Sequence, residues 1–461
     1  MNTDTIAAIA TPLGTGGISI IKISGPEAVG SVIPIFRPRN PQRTLDQLLS
    51  QTMVYGHIHD FRNGDLVDEV LLTILRAPRS FTGEDVVEIN CHGGPQVTTA
   101  ILEMLLEYGL RLAEPGEFTR RAFLNGRMDL TQVEGTIDLI HARTRRAARL
   151  GSQLIANGLG AEIRRLRHTV IEIRSLIEAS IDFDDEIQTD ILPDSIADKI
   201  IVQVIPALQE LVSNYQSGRL LREGLRVVLA GKPNVGKSSL MNQLLKQERV
   251  IVSEVPGTTR DTIEEGIEID GIPILICDTA GLADSKDPID RIGQKRTQEA
   301  IEKADLILFM IDGSQPLDDS DLDLSEFLGK RFHIVLRNKI DLVQEEVRRT
   351  RFKETPVEGY LDISALNGLG LDRLKERVLL AAGVDQRAEA EACLPNLRQK
   401  MLLIRALSVL SGVVDQSRVI ENFETLSIDL RDCERYFNQI LGDDVEQDVL
   451  DEIFNRFCIG K

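Results

Sequence analysis

Residues 231–238 read Gly-Lys-Pro-Asn-Val-Gly-Lys-Ser, the G-x-x-x-x-G-K-[ST] spacing of a loop that wraps nucleotide phosphates. Gly231 and Gly236 let backbone N–H groups turn inward where a Cβ would clash. Lys237 brings a point charge to the β- and γ-phosphates, and the Ser238 hydroxyl is a ligand for Mg²⁺. Asn234, Val235 and Ser239 complete the phosphate-facing set. The elements that must hold such a loop flank it. An apolar strand is expected at 225–230 (LRVVLA), and a helix begins at Ser238, its N-terminus adding partial positive charge.

Further motifs follow in order. Asp278-Thr279-Ala280-Gly281 closes an apolar run, where Asp278 can hold Mg²⁺ through a water and the Gly281 N–H can bond the γ-phosphate only while it is present, the basis of a switch. In Asn338-Lys339-Ile340-Asp341 the Asp341 carboxylate can accept from both the ring N–H and the exocyclic amine of guanine. Adenine would strand that acceptor, so the expected base is guanine. Asn338 and Lys339 are expected to brace the loops, and the backbone of Ser364-Ala365-Leu366 to reach the guanine carbonyl. Between them, Thr259 of Gly257-Thr258-Thr259-Arg260-Asp261 is the candidate second Mg²⁺ ligand; a polar turn would use the same residue types. The preceding Ser253, Glu254, Val255 and Pro256, with Gly257 and Thr258, are counted with the GTP-contacting residues. Leu282 stands where a water-orienting Gln would follow Gly281, so another side chain must position the attacking water.

A length of 461 residues predicts about three domains. The formal net charge of −19 opposes general nucleic-acid affinity. The basic stretches 141–149 (HARTRRAAR) and 164–167 (RRLR) read as solvated helix faces. Five scattered cysteines without a C-x-x-C pair argue against a disulfide framework or zinc site and suit a reducing cytosol. No export signal and no membrane-spanning run are expected.

Residues 1–118 predict an α+β unit, with strands at 18–23, 52–58, 69–75 and 85–90 and a helix at 96–108 ending at Gly109. Residues 119–218 are almost free of strand signals, and Ile163, Leu166, Val170, Ile173 and Ile177 form one apolar stripe. Strand–helix alternation over 219–381 predicts an α/β nucleotide-binding module. A helical pattern resumes over 382–461, where Leu403, Leu407, Leu410 and Val414 share a face. The economical arrangement packs the two helical segments on each other with the nucleotide module inserted between them.

The order and spacing of these motifs resemble the translation-factor-like small GTPases. Val-Pro-Gly-Thr-Thr-Arg-Asp at 255–261 with Asn234 narrows this to the group in which potassium substitutes for an arginine finger. Further stretches extend the resemblance over essentially the whole chain: IAAIATPLGTGG at 6–17, SFTGED at 80–85, CHGG at 91–94, PGEFTRRAFLNGRMDL at 115–130, and the closing Cys458-Ile459-Gly460-Lys461. Together they resemble the MnmE (TrmE) family of tRNA modification GTPases. The resemblance implies an N-terminal α+β folate-binding and dimerisation domain, a helical domain made from two segments, and an inserted Ras-like P-loop GTPase domain. It implies a cytoplasmic homodimer with no membrane association. With an MnmG (GidA) flavoprotein, in a heterotetramer or larger complex, it would add a (carboxymethyl)aminomethyl group to C5 of the wobble uridine of certain tRNAs. The one-carbon unit would come from 5-formyl- or methylene-tetrahydrofolate.

By position, Lys22, Glu88 and Arg127 match the folate-contacting residues of the family, which often has Arg and Lys where Lys22 and Arg127 stand. Cys458 matches the family's terminal cysteine, linked to the modification reaction; a thiolate there could act as a nucleophile. Potassium would be held by Asn234, backbone carbonyls at Ser253 and Val255, and Thr258. The family's water-orienting carboxylate is a Glu just before Arg-Ile-Gly. Asp290, one methylene shorter, precedes Arg291-Ile292-Gly293 here, with Asp284 and Asp287 as alternatives. Two other readings use the same nucleotide motifs. One is a ribosome-assembly or translation-associated switch without modification chemistry. The other is a membrane-remodelling dimeric GTPase, which would need an amphipathic basic or long apolar segment.

Overall fold

The computed structural model describes residues 4–461 apart from 43, 157, 183–196, 252–263, 279–298, 330, 332, 344–359, 384–392 and 418–422. The chain divides into two compact units, Met1–Ile137 with Leu154–Leu176 and Ser427–Lys461, and Asp138–Gln153 with Ile177–Leu426.

The first unit is built on β1 (Ile6–Ile9), β2 (Ile18–Ser24), β3 (Phe36–Pro38), β4 (Thr52–His59), β5 (Leu66–Leu75), β6 (Val86–His92) and β7 (Arg111–Leu112). Their spatial order is β3-β4-β5-β6-β2-β1-β7, antiparallel except for the β1–β7 pair. The period-two pattern decides which face is covered. On β5, Val70, Leu72 and Ile74 are buried while Leu71 between them is exposed. Helix α1 (Pro95–Glu107) sets Ile101, Met104 and Leu105 into one core with Ile21, Ile23, Leu72 and Ile89. The opposite face carries Lys22 on β2 directly beside Glu88 on β6.

Helices α2 (Glu117–Leu124), α3 (Leu130–Ile140), α4 (Arg145–Ile155) and α5 (Gly158–Asp182) follow. All five members of the expected α5 stripe, Ile163 to Ile177, are buried. The polar flank of α5 meets the end of the chain: Arg174 Nε donates to Glu434 at 2.5 Å and Arg167 Nη1 to Asn438 at 2.7 Å. Leu130 and Val133 of α3 share a core with Leu450, Ile453, Phe454 and Phe457. Helical residues before the nucleotide module thus pack on helical residues after it.

The second unit contains α6 (Ile205–Glu223), β8 (Leu225–Ala230), α7 (Lys237–Gln247), β9 (Arg249–Ile251), β10 (Glu264–Ile269), β11 (Ile272–Asp278), β12 (Leu306–Asp312), α8 (Asp319–Leu328), β13 (His333–Asn338), β14 (Leu361–Asp362), α9 (Leu371–Ala381) and α10 (Leu397–Ser417). Its sheet runs β14-β13-β12-β8-β11-β10-β9, parallel from β14 to β11 and antiparallel at β10 and β9. Strand β12 reads as a continuous apolar run, as a strand covered on both faces must. Helix α6 lies along α10. At its C-terminal end Arg222 donates to the carbonyls of Leu394 and Pro395 and, at 2.6 Å, to Asp138. One guanidinium therefore ties the chain entering the nucleotide module to the chain leaving it.

Candidate functional site

In a parallel sheet the C-terminal strand ends form the ligand-binding edge. Here Gly231 follows β8, Asp278 ends β11, Asp312 ends β12, Asn338 ends β13, and Ser364 lies just past β14. Four motifs spread over more than 130 residues of sequence thus arrive at one edge of one sheet.

The phosphate loop has the backbone its glycines predict. Gly231 is at φ 148° and Gly236 at φ 105°. A Cβ at Gly231 would run into the Met310 carbonyl, and one at Gly236 into the Asn338 carboxamide. Asn234 adopts φ 66°, a left-handed value that Asn tolerates, and is exposed. Lys237 is buried, its Nζ donating to the carbonyls of Gly231 at 2.7 Å and Lys232 at 2.9 Å. Ser238 and Ser239 are exposed in the first turn of α7, while Val235 is buried. Beside the loop, Lys232 Nζ pairs with Asp318 at 2.6 Å and Asp321 at 2.8 Å, where α8 begins.

Asn338 joins the phosphate loop to the base loop. Its Nδ2 donates to the Val235 carbonyl at 2.7 Å, and its Oδ1 accepts from the Ala365 N–H at 2.9 Å. Lys339, at φ 63°, places its ammonium 2.6 Å from Asp312. Burial would raise the Asp312 carboxyl, but the Lys339 ammonium and the Ser314 donors outweigh it and hold the group below its ordinary value. Ser364 is buried, its N–H bonded to the Leu369 carbonyl at 3.0 Å. Asp341, the expected guanine acceptor, is exposed, so its carboxylate bears no burial cost here. That cost arises only when a base covers Asp341 and removes it from water. Ser253, Glu254, Val255, Pro256, Gly257, Thr258, Thr259, Thr279, Ala280, Gly281 and Asp290 lie outside the described residues, and of Asp278 only the backbone is described, paired with Leu229 of β8.

A second group of candidates lies on the first unit. Lys22 Nζ sits 5.2 Å from the centroid of the Phe81 ring and 5.4 Å from that of Phe118. Burial draws the Lys22 ammonium below its ordinary value; the Glu88 carboxylate opposes this and Lys461 adds to it. Arg127 is exposed, and its side chain passes within 3.3 Å of where a Cβ on Gly83 would be. The three candidates therefore gather around the 80–85 turn, whose Thr82 and Glu84 bond Ser24 at 2.7 and 2.8 Å. The chain end reaches the same region. The Phe118 N–H bonds Lys461 at 3.2 Å, and a Cβ on Gly460 would strike the Ile9 carbonyl. Cys458 is exposed.

Sequence reasoning missed the network beneath these residues. Arg121, 3% exposed, donates to Glu117 at 3.1 Å, Asp4 at 2.9 Å and Glu84 at 3.2 Å, while Arg111 binds Glu117 and Asp4. Its one local signal is the i,i+4 spacing of Glu117 and Arg121. Among the described residues no group of His, Cys, Asp and Glu could hold a metal by itself, and no helix is long and apolar enough to cross a membrane.

Two family profiles match the chain, one described as the GTP-binding protein TrmE N-terminus over residues 5–127 and one as the MnmE helical domain over residues 130–458. The chain is 42% identical over 463 residues to the tRNA modification GTPase MnmE of Carboxydothermus hydrogenoformans, covering 100% of both chains. It is 41% identical over 464 residues to the tRNA modification GTPase MnmE of Desulfotalea psychrophila, covering 99% of this chain and 98% of that one. Among solved structures, an Aquifex aeolicus Era variant bound to GDP and aluminium fluoride is 30% identical over 40% of this chain and 66% of its own, with a TM-score of 0.30. Two profiles that together span nearly the whole sequence, and full-length relatives above 40% identity, agree with the motif order along it: the chain belongs to the MnmE family of tRNA modification GTPases.

Proposed function

We propose that this GTPase is the switching component of a tRNA wobble-uridine modification system. The observation that carries the reading is the convergence of Gly231, Asp278, Asn338 and Ser364 on one sheet edge, in a chain whose relatives are named for tRNA modification over their full length. GTP would lie with its phosphates in the glycine cradle and its base against Asn338, Asp341 and Ala365. Lys237 balances phosphate charge, and Asn338 keeps the two loops in register. Asp290 would orient the attacking water in place of the absent Gln at Leu282, with Thr259 released when the γ-phosphate leaves.

Mg²⁺, held by Ser238 and Thr259, would neutralise phosphate charge. The exposed left-handed Asn234 fits a cation at the loop's rim. Potassium on Asn234, the Ser253 and Val255 carbonyls and Thr258 would supply positive charge where it develops as the β–γ bond breaks. On the first unit, Lys22, Glu88 and Arg127 provide a cation, an acceptor and a second cation around an aromatic turn, a donor set suited to a folate's carboxylates and pterin edge. A tetrahydrofolate bound there would supply the one-carbon unit. Pairing as a homodimer and joining an MnmG (GidA)-type flavoprotein would bring Cys458 and the folate site to the target uridine, with hydrolysis as the actuator.

The test is mass spectrometry of tRNA nucleosides from cells lacking the protein. Loss of the C5 (carboxymethyl)aminomethyl group from wobble uridine is expected, and an intact modification would overturn the reading.

A further inference from the structure

Strands β10 and β11 form a hairpin whose turn is Asp270-Gly271, with Ile269 and Ile272 directly paired. Asp270 at φ 48° and Gly271 at φ 81° are the two left-handed residues that a tight two-residue hairpin requires. Such a turn leaves main-chain carbonyls outside the ladder of strand–strand bonds. Two of them are taken by residues at the start of α4. Thr144 Oγ1 donates to the Gly271 carbonyl at 2.7 Å, and Arg146 Nη1 donates to the Asp270 carbonyl at 2.9 Å.

The contact is closely fitted. Thr144 is 5% exposed, and its hydroxyl also accepts from the Ala147 N–H at 3.2 Å, so its donor and an acceptor position are both engaged. A Cβ on Gly271 would stand 2.9 Å from Arg146 Cδ, so the arginine stem lies flat on the turn.

The other end of this hairpin is the nucleotide edge. From Ile274 to Asp278, β11 pairs residue by residue with Leu225 to Leu229 of β8, the strand that continues into the phosphate loop. Strand β10 runs antiparallel to β11 from Ile269 back to Glu264. Strand pairing thus runs without interruption from the turn to Asp278. The phosphate loop and the Asn338–Ala365 brace sit on other strand ends and carry hydrogen bonds of their own.

We propose that Thr144 and Arg146 are positioning residues for GTP hydrolysis. By holding the hairpin turn they fix the backbone at the C-terminal end of β11, at Asp278, relative to the phosphate loop. The inference needs only the GTPase activity; it requires neither tRNA nor folate.

Thr144→Val keeps the shape and removes the hydroxyl, Thr144→Ser restores it, and Arg146→Met keeps the stem and removes the fork. In the full chain, Thr144→Val and Arg146→Met are each expected to lower kcat for GTP about five- to tenfold, the fold-change equivalent to the net contribution of one hydrogen bond. The dissociation constant of a fluorescent GTP analogue should stay within about twofold, because the phosphate loop and the Asn338–Ala365 brace keep their own hydrogen bonds. Thr144→Ser should return kcat to the wild-type value. Unchanged kcat in the folded variants, with only the urea midpoint lowered, would make the clasp purely structural and overturn the proposal. Equal losses of kcat and affinity, or no recovery in Thr144→Ser, would overturn it too. If Thr144→Val does not fold, Arg146→Lys carries the same test, since it keeps charge and volume but loses the forked geometry.

Discussion

Asn338 is 2% exposed, and a single carboxamide holds two buried backbone groups belonging to different loops. Asn338→Ala would leave the Val235 carbonyl and the Ala365 N–H without partners at positions 2% and 4% exposed. Each stranded group costs about 1–3 kcal/mol, so the pair amounts to about 2–6 kcal/mol, less whatever an entering water recovers. Part of this appears as lost stability. Part appears as lost affinity, because GTP binding must draw both loops back into register. A loss of about 2 kcal/mol in binding is roughly a thirtyfold rise in Kd. Asn338→Asp sharpens the test. It fills the same space and keeps an acceptor for the Ala365 N–H, but it sets a carboxylate oxygen against the Val235 carbonyl, acceptor on acceptor. Asn338→Asp is therefore expected to be at least as damaging as Asn338→Ala, although by volume it is the milder change. Titration with a fluorescent GTP analogue and urea unfolding, both near neutral pH, measure the two parts. Wild-type affinity and stability in Asn338→Asp would refute the bracing role.

Gly236→Ala should abolish measurable GTP binding, because the new Cβ meets the Asn338 carboxamide at a φ of 105° that alanine rarely adopts; equilibrium binding checks it. Burial alone would raise the Glu117 carboxyl, but Arg111, the Glu114 N–H and Arg121 hold it below the ordinary value. Its contribution is therefore full above the unfolded-state value and is lost as pH falls through the depressed one. Urea unfolding should show Glu117→Gln less stable at pH 7 and less steeply weakened by acid than the wild type. Arg222→Met should cost the second unit about 2–3 kcal/mol, since the Leu394 and Pro395 carbonyls lose the Arg222 donor; the urea midpoint reads this directly. Hydrolysis should run much faster in KCl than in NaCl at equal ionic strength, and Asp290→Asn should lower turnover with little change in GTP affinity.

What could be read from sequence follows from how each feature is encoded. The phosphate loop is encoded by glycine spacing, and Gly231 and Gly236 stand where a Cβ has no room. Strands with clear alternation were legible, from 18–23 to 85–90, as was the α5 stripe. Strands β1, β3, β7 and β9 were not, being four residues or fewer, too short for a period to show. In α10 the expected face named Leu407, which is only half-buried, while Ala406 and Val413 are buried; the stripe lies slightly around the helix from the leucines. The Asp4–Glu84–Arg111–Glu117–Arg121 network joins residues up to 117 positions apart, and no local pattern encodes such a contact. The Thr144–Gly271 bond has the same character, with a main-chain acceptor that leaves no trace in side-chain type.

Three ties in the second unit share one construction, and it bears on how such a switch tolerates sequence change. Asn338 bridges Val235 and Ala365, Thr144 and Arg146 hold Asp270 and Gly271, and Arg222 holds Leu394 and Pro395. In every case a side chain binds main-chain groups. The receiving groups exist whatever residue occupies the position, so the receiving side can vary if its backbone path is kept. The donors cannot vary in the same way, because the bond depends on the side chain that supplies it. Sensitivity to mutation should therefore be one-sided, high at Asn338, Thr144, Arg146 and Arg222 and low at Val235, Leu394 and Pro395 for substitutions that preserve shape.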